Sequence, residues 1–358
     1  MVIKPSDESL IMQPKITIIL PIYNVEPYLR QCLDSVVNQT MQDIQIICVN
    51  DGSTDGSPAI LQEYADKDSR IEIVHQENQG GGSARNAAYP YIKGEYTYFA
   101  DPDDWLDLTL CEKMFAAAEN NEADLVFFSG VHTIGTAFKK YPSCFEPEFF
   151  NIRQGASQKF DLLRMFHAPW WKLIKSELLL ASDIRFSEGK RPHNDLLAHW
   201  KSVVKATKIA ILDDSLYYRR FRQNSYQNTF NKSRYIVIDT MAEIEKMLHE
   251  TGYYETYKKL FFIDKFTRYR YIYSGLPFVL KSPFLQYVRQ SLTEEDLALF
   301  RITTDAGLMS KRLMLFYKMI DGDLMFILHY YLSGAISLPE RLLRRWVIKP
   351  IKNRLKAA

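Results

Sequence analysis

The stretch Tyr96-Thr-Tyr-Phe-Ala-Asp101-Pro-Asp-Asp-Trp105 runs an apolar segment straight into three carboxylates within four residues. An unbroken apolar run suits a strand buried on both faces. Carboxylates this close repel one another unless a cation compensates. Hard oxygen ligands suit Mg²⁺ or Mn²⁺, which bridge a few carboxylates to phosphates. A local account competes: Pro102 fixing a turn and Asp104 capping the helix that follows. On the cluster alone both accounts stand.

The same unit, a strand followed by a polar loop and a helix, recurs on either side. Upstream lie the apolar run Ile16–Tyr23, a helical pattern with Leu29, Leu33, Val36 and Val37 on one face, and a second strand, Ile44–Val49. A short helix over Ser57–Asp68, a strand at Ile71–His75 and one or two helical turns over Ser83–Ala88 follow, ending before Pro90. Downstream, Leu106–Asn120 reads as a helix and Asp124–Ser129 as a strand. This alternation with short links predicts βαβ units, a mostly parallel sheet and ligands at the carboxyl ends of the strands.

The other strand-end loops are weaker signals taken singly. Asp51 in Asn50–Ser57 has the chemistry to accept from a base or ribose, but Asx turns and a plain helix start at Ser57-Pro58 are the commoner use of such residues. Gly80-Gly81-Gly82 lets backbone approach a phosphate, with Arg85 adding charge. The spacing is not G-x-G-x-x-G, and a flexible turn explains it as well.

Composition bounds the classes. The chain has 358 residues, 47% hydrophobic and 25% charged, which excludes disordered and low-complexity proteins. With 45 basic and 43 acidic side chains the net charge is +2, which argues against a nucleic-acid binder. Cys32, Cys48, Cys111 and Cys144 form no tight pair and read as reduced thiols of a cytoplasmic protein. The first residues lack an apolar signal segment, and no apolar run reaches the ~18 residues a membrane span needs.

Beyond about residue 225 strand signals vanish. Tyr235–His249 is an amphipathic helix carrying Ile238, Met241, Ile244, Met247 and Leu248 on one side, and Tyr253–Tyr273 is dense in aromatic and basic residues. Ser337-Leu-Pro-Glu340 has the form of a capping box. Residues 341–358 then hold seven basic and no acidic side chains, interleaved with Leu342, Leu343, Trp346, Val347, Ile351 and Leu355. That pattern suits an interfacial helix on anionic lipid. A solvated helix packed on the rest of the chain is the alternative, and Pro350 interrupts either. The near-neutral total thus combines a net acidic body with a basic tail. The expected organisation is an extension at 1–13, an α/β domain at 14–230, a helical, aromatic-rich region at 231–336 and a basic amphipathic tail at 337–358.

Read together, the loops resemble the family 2 glycosyltransferases with the GT-A fold. The pattern P-x-Y-N-x-E-x-x-L is met by Pro21, Tyr23, Asn24, Glu26 and Leu29, and N-D-G-S-T-D by Asn50–Asp55. N-x-G with A-R-N is met by Asn78, Gly80, Ala84, Arg85 and Asn86, then G-E-Y by Gly94–Tyr96 and D-x-D-D by Asp101–Asp104. A later W-x-K-L is met by Trp171, Lys172 and Leu173. In the E-D pair that follows, Asn194 replaces the Glu and Asp195 is kept. Leu216-Tyr-Tyr-Arg219 and Asn224-Ser225 are similar to the family's usual end of the catalytic domain.

The resemblance implies a Rossmann-like GT-A catalytic domain followed by a helical C-terminal region. It also implies inverting transfer from a nucleoside diphosphate sugar, UDP by family habit, to a glycan or lipid-linked glycan of cell-envelope polysaccharide or lipooligosaccharide synthesis. By motif position Asp103 is the ligand of Mn²⁺ or Mg²⁺, and Asp101 touches ribose or metal. Pro21, Tyr23, Glu26, Asp51 and Ser53 shape the base and ribose pocket, Gly81 and Arg85 approach the donor phosphates, and Asp195 is the general base. His193 beside it is more often a solvated or core residue than a metal or phosphate contact. Q-x-x-R-W of processive synthases is absent, so single-sugar transfer is expected. The alternatives are a nucleotidyltransferase acting on sugar phosphates, or a non-catalytic nucleotide-sugar-binding protein. The first would carry a glycine- and basic-rich loop where Pro21–Glu26 stands, and the second would lack Asp103 or Asp195.

Overall fold

The structure, a computed structural model, describes residues 13–134, 137–140, 156–164, 167–189, 192–220 and 230–305, together with 316 and 320. Two compact units divide the chain, residues 1–228 and 229–358.

The first unit is built on β1 (Ile16–Ile22), every residue of which is buried. Ile16, Ile18, Ile19, Leu20 and Ile22 are fully or almost fully enclosed, each contributing about 1.5–3 kcal/mol through burial. Next come α1 (Glu26–Val37), β2 (Ile44–Asp51), α2 (Ser57–Ala65), β3 (Ile71–Gln76), α3 (Gly81–Ala87) and β4 (Tyr96–Phe99). β1 pairs in parallel with β2 and β4, and β2 in parallel with β3. The polar loops after β1, β2, β3 and β4 therefore gather at one edge of the sheet, as the alternation requires.

β5 (Trp105–Leu106), α4 (Leu110–Asn121), β6 (Leu125–Ile134), β7 (Ala137–Lys140) and α5 (Ala156–Arg164) follow. Then come β8 (Lys172–Lys175), α6 (Ser176–Ala181), α7 (Leu196–Lys205) and β9 (Ile209–Arg220). The strand order is β3-β2-β1-β4-β8-β6-β9-β5, with β7 on β6. The sheet is parallel through β4 and mixed beyond it. β8 lies antiparallel between β4 and β6, and β9 runs parallel to β6 and antiparallel to β5. A four-residue strand recruited from far along the chain leaves little periodicity to read, which is why β8 is invisible in the alternation. The helix expected from Leu106 starts at Leu110 instead. Leu106 is in register with Tyr217 on β9, and the Asp107 carboxylate accepts from the Thr109 N–H at 2.9 Å, holding a turn ahead of the helix.

Cys32, Cys48 and Cys111 are buried free thiols, and burial pushes all three above the ordinary thiol range. Cys144 lies outside the described residues.

The second unit is helical: α8 (Ile236–Glu250), α9 (Tyr254–Gly275), α10 (Phe278–Gln290) and α11 (Glu294–Asp305). α8 buries Ile238, Met241, Ile244, Met247 and Leu248, the face its spacing predicted. Lys265 on α9 is buried between Glu245 of α8 at 3.2 Å and Asp296 of α11 at 3.0 Å. Among the described residues no helix is long and apolar enough to cross a membrane. The capping box at Ser337–Glu340 and the basic tail lie outside the described residues.

Candidate active site

The loops after β1 and β2 are laced together. Asn24 takes a left-handed turn (φ 49°), and its side-chain oxygen accepts from the Thr54 N–H at 2.8 Å. Ser53 Oγ accepts from the Asn24 N–H at 3.2 Å. Glu26 donates its backbone N–H to Asp55 at 3.0 Å, and its carboxylate accepts from the Gly56 N–H at 2.7 Å. Val25 N–H bonds Ser57 Oγ at 3.1 Å, tying the starts of α1 and α2. Glu26 and Ser53, both expected in the donor pocket, therefore brace the two loops. Pro21 is buried within β1 opposite Val49. Tyr23, 47% exposed at the strand end, is the residue of this group that offers an open aromatic surface.

Asp51 faces the glycine loop. Its Oδ1 accepts from Gln76 Nε2 at 2.7 Å and the Gln79 N–H at 2.8 Å, and its Oδ2 accepts from the Gly80 N–H at 2.8 Å. Among the described residues one acceptor position on Oδ2 is left over. Gly80 adopts φ 92°, a conformation that only glycine takes without strain, and α3 begins directly after it. Gly81 opens that helix, and Arg85 one turn later reaches back to its carbonyl at 3.3 Å.

Arg85 is the hinge of the site. It is buried, its Nη2 donates to Asp101 Oδ1 at 2.6 Å, and its guanidinium lies over the Phe186 ring at 5.3 Å. Its Nε is buried with no hydrogen-bond partner among the described residues.

At the end of β4 the oxygens of Asp101, Asp103 and Asp104 lie within 4.8 Å of one another. Their roles differ. Asp104 is buried and latched by β9, accepting from the Tyr217 hydroxyl at 2.7 Å and the Arg220 N–H at 2.7 Å. Burial first, and then the charges of Asp103 and Asp101, hold its carboxyl well above the ordinary range. Tyr217 also accepts from the Asp101 N–H at 3.3 Å, and Arg220 Nε donates to the Asp103 carbonyl at 3.1 Å. The Arg220 guanidinium packs on Tyr28 and Trp105. The expected turn is present, the Asp104 N–H bonding the Asp101 carbonyl at 3.2 Å. Asp104 caps no helix, however: α4 begins at Leu110 after Thr109, and Asp104 is latched to β9. Asp101 with Asp103 is a hard-oxygen pair suited to a divalent ion.

Asp195 stands at the start of α7, yet its side chain makes no capping bond. Oδ1 lies 3.4 Å from His167 Nε2 instead. The chain enters through His193 in a left-handed turn (φ 60°), and the rings of His167 and His193 are 5.9 Å apart. Burial raises the Asp195 carboxyl, while the charges of Arg85, His193 and Lys172 draw it back. Asn194, where the motif has Glu, packs its Cβ toward Gly82, and its carbonyl accepts from the Ser187 N–H at 2.7 Å. Trp170 and Trp171 are core residues, Trp170 stacking on Tyr217 at 4.3 Å. His167 and Arg220 were not legible as site residues. A lone His before Pro169-Trp-Trp and an Arg ending a strand carry no motif signal.

A parallel βα half-sheet whose strand-end loops meet a carboxylate cluster has the ligand-binding layout of the GT-A fold. The Glycosyl transferase family 2 profile matches residues 17–177. Glycosyltransferase GlyA of Streptococcus pneumoniae serotype 4 is 33% identical over 257 residues, 68% of this chain and 36% of GlyA. The poly(ribitol-phosphate) beta-glucosyltransferase of Bacillus spizizenii is 32% identical over 210 residues, 57% of this chain and 32% of that protein. The chain thus spans about a third of the length of these two relatives. Staphylococcus aureus TarS, residues 1–349 crystallised with UDP-GlcNAc, superposes with a TM-score of 0.69 at 20% identity, over 89% of this chain and 92% of that one, and speaks for the fold alone. Glycosyltransferase GlyG of the same Streptococcus pneumoniae strain is 33% identical over 229 residues, 61% of this chain and 74% of GlyG, and the chain belongs to glycosyltransferase family 2. It is an enzyme of that class, and neither the nucleotidyltransferase nor the non-catalytic alternative finds support.

Proposed function

We propose that the enzyme moves one sugar from a nucleoside diphosphate sugar, with UDP as the nucleotide, to a hydroxyl of a glycan or lipid-linked glycan in cell-envelope polysaccharide synthesis, inverting the anomeric carbon. The observation that carries this is a single guanidinium serving two carboxylate sites: Arg85 is bonded to Asp101 at 2.6 Å, and its charge also favours ionised Asp195.

The donor set fits a hard divalent ion, Mn²⁺ or Mg²⁺, on Asp103 with Asp101 alongside. When bound, such an ion supplies positive charge to the departing diphosphate. The leftover Arg85 Nε–H offers a donor for a phosphate oxygen. Tyr23 offers a ring face to the base, and the remaining Asp51 Oδ2 position accepts a base N–H. Pro21, Glu26, Ser53 and Gly81 hold the shape of that pocket. Asp195 takes the acceptor's hydroxyl proton as that oxygen bonds to the anomeric carbon and the bond to the diphosphate breaks on the opposite face.

TarS was crystallised with UDP-GlcNAc, which supports UDP, and the Bacillus spizizenii relative is named for a poly(ribitol-phosphate) acceptor, which supports a cell-envelope polymer. The basic amphipathic pattern of residues 341–358 supports a peripheral site on the anionic inner face of the cell membrane.

The test is nucleotide release from a panel of UDP-, GDP- and dTDP-sugars with Mn²⁺, with and without chelator. Release from a UDP-sugar that disappears with chelator is expected. Neither release nor nucleotide binding with any donor would overturn the proposal.

A further inference from the structure

Lys172 opens β8 with its side chain sealed in the core, 3% exposed. Its Nζ lies 3.0 Å from His199 Nδ1, and among the described residues it forms no ion pair. His199 is itself fully buried, with Nε2 3.0 Å from the Leu162 carbonyl oxygen. A carbonyl can only accept, so the contact assigns the ring proton to Nε2 and leaves the Nδ1 lone pair facing Lys172. His199 sits one helical turn beyond Asp195 on α7, its N–H bonded to the Asp195 carbonyl at 2.9 Å. A lysine from the sheet is thus docked, through a neutral ring, on the first turn of the helix that begins at Asp195.

Burying an ammonium against a neutral acceptor is costly. Burial lowers the Lys172 pKa to about 7, and the charge opposing that shift is Asp195. Asp195 responds in kind: Arg85 from α3, His193 from the preceding turn and Lys172 from β8 all favour its ionised form, while His167 touches it from the segment ahead of β8.

We propose that Lys172, seated on His199, is a positioning residue of the transfer reaction: a buried ammonium whose field holds Asp195 as the carboxylate that receives the acceptor's proton. The proposal rests on Asp195 as the base.

The test follows the pH dependence of kcat/KM, together with the carbon-13 shift of the Asp195 carboxyl, in wild type, K172M and H199L. D195N assigns the signal and checks the base. K172M is expected to fold and to bind UDP as wild type does. Its acidic limb and its Asp195 midpoint are expected to rise together, with kcat/KM lost on that limb. H199L, which removes the acceptor that seats the ammonium, is expected to shift both in the same direction. Should K172M not fold, H199L and the wild-type Asp195 titration decide, the latter showing a second inflection as Lys172 loses its proton. An unmoved Asp195 midpoint overturns the proposal, as does a loss of stability with the limb unmoved. Wild-type turnover in D195N removes Asp195 as the base and the proposal with it, an outcome separate from the first two.

Discussion

Gly82 and Ser187 meet so closely that a Cβ on Gly82 would lie 2.2 Å from the Ser187 carbonyl oxygen. The same Cβ would stand 3.2 Å from Asn194 Cβ. The glycine loop and the segment leading to Asp195 therefore pack backbone to backbone. G82A gains about 1 kcal/mol of helix propensity within α3. A contact this far inside van der Waals range outweighs that gain, and a net loss of about 1–3 kcal/mol is expected by thermal or urea unfolding. A melting temperature equal to wild type would show that the Ser187 backbone gives way freely.

D103A is expected to abolish metal-dependent donor binding, because it removes one of three carboxylates whose oxygens lie within 4.8 Å of one another, the one that the motif assigns to the metal. Calorimetric titration of UDP with and without Mn²⁺ checks this. Undiminished Mn²⁺-dependent affinity would remove Asp103 as the ligand.

For Asp195 the raised native pKa fixes two signs. Transfer needs the carboxylate, so kcat/KM falls as pH drops through that raised pKa, above where an ordinary aspartate would titrate. Stability runs the other way. The native state holds this proton more tightly than the unfolded chain, so ionised Asp195 destabilises the fold, fully so above its native pKa. D195N is therefore expected to keep UDP binding, lose transfer and melt higher at neutral pH, with the gain vanishing in acid. Turnover near wild type, or a lower melting point at neutral pH, would contradict this.

Y217F removes the hydroxyl that donates to Asp104 at 2.7 Å and accepts from the Asp101 N–H at 3.3 Å. A buried carboxyl and a backbone amide each lose a partner, at a cost of about 1–3 kcal/mol. Weaker Mn²⁺ affinity with the fold retained is the expected outcome, read by chemical denaturation and metal titration. Unchanged metal affinity would mean that the latch does not shape the ligand pair.

Truncation after Leu338 deletes all seven basic residues of the tail. It is expected to release the protein from phosphatidylglycerol vesicles in a flotation assay while turnover on a soluble acceptor stays intact. Full-length protein that never floats with such vesicles would refute the membrane role.

What was legible follows from how the contacts are distributed along the chain. β1 to β4 are buried strands whose loops carry their residues contiguously, so apolar runs and motifs exposed both the fold and Asp51, Arg85, Asp101 and Asp103. The contacts supplied by later parts of the chain were another matter. His167 reaches Asp195, Lys172 reaches His199, and Tyr217 and Arg220 reach Asp104 only because β8 and β9 return to the sheet. Such pairings leave no local periodicity. Glu26 and Asp51 carry another lesson. Their motif positions were readable, but which hydrogen bonds their carboxylates accept depends on loop geometry.

The Tyr217 latch also bears on the order in which the protein is made. Tyr217 stands 113 residues after Asp104 and Arg220 stands 116 after it. A ribosome that has released β1 to β4 has yet to synthesise either partner. Every pairing among β1 to β4 lies within residues 16–99 and can form once that stretch is out, whereas those of β9 wait for residues 209–220. A nascent chain ending before residue 209 is therefore expected to hold β1 to β4 folded beside an acidic loop without its latch. Catalytic competence would arrive in one late step, when the last strand of the domain closes on the oldest part of the chain.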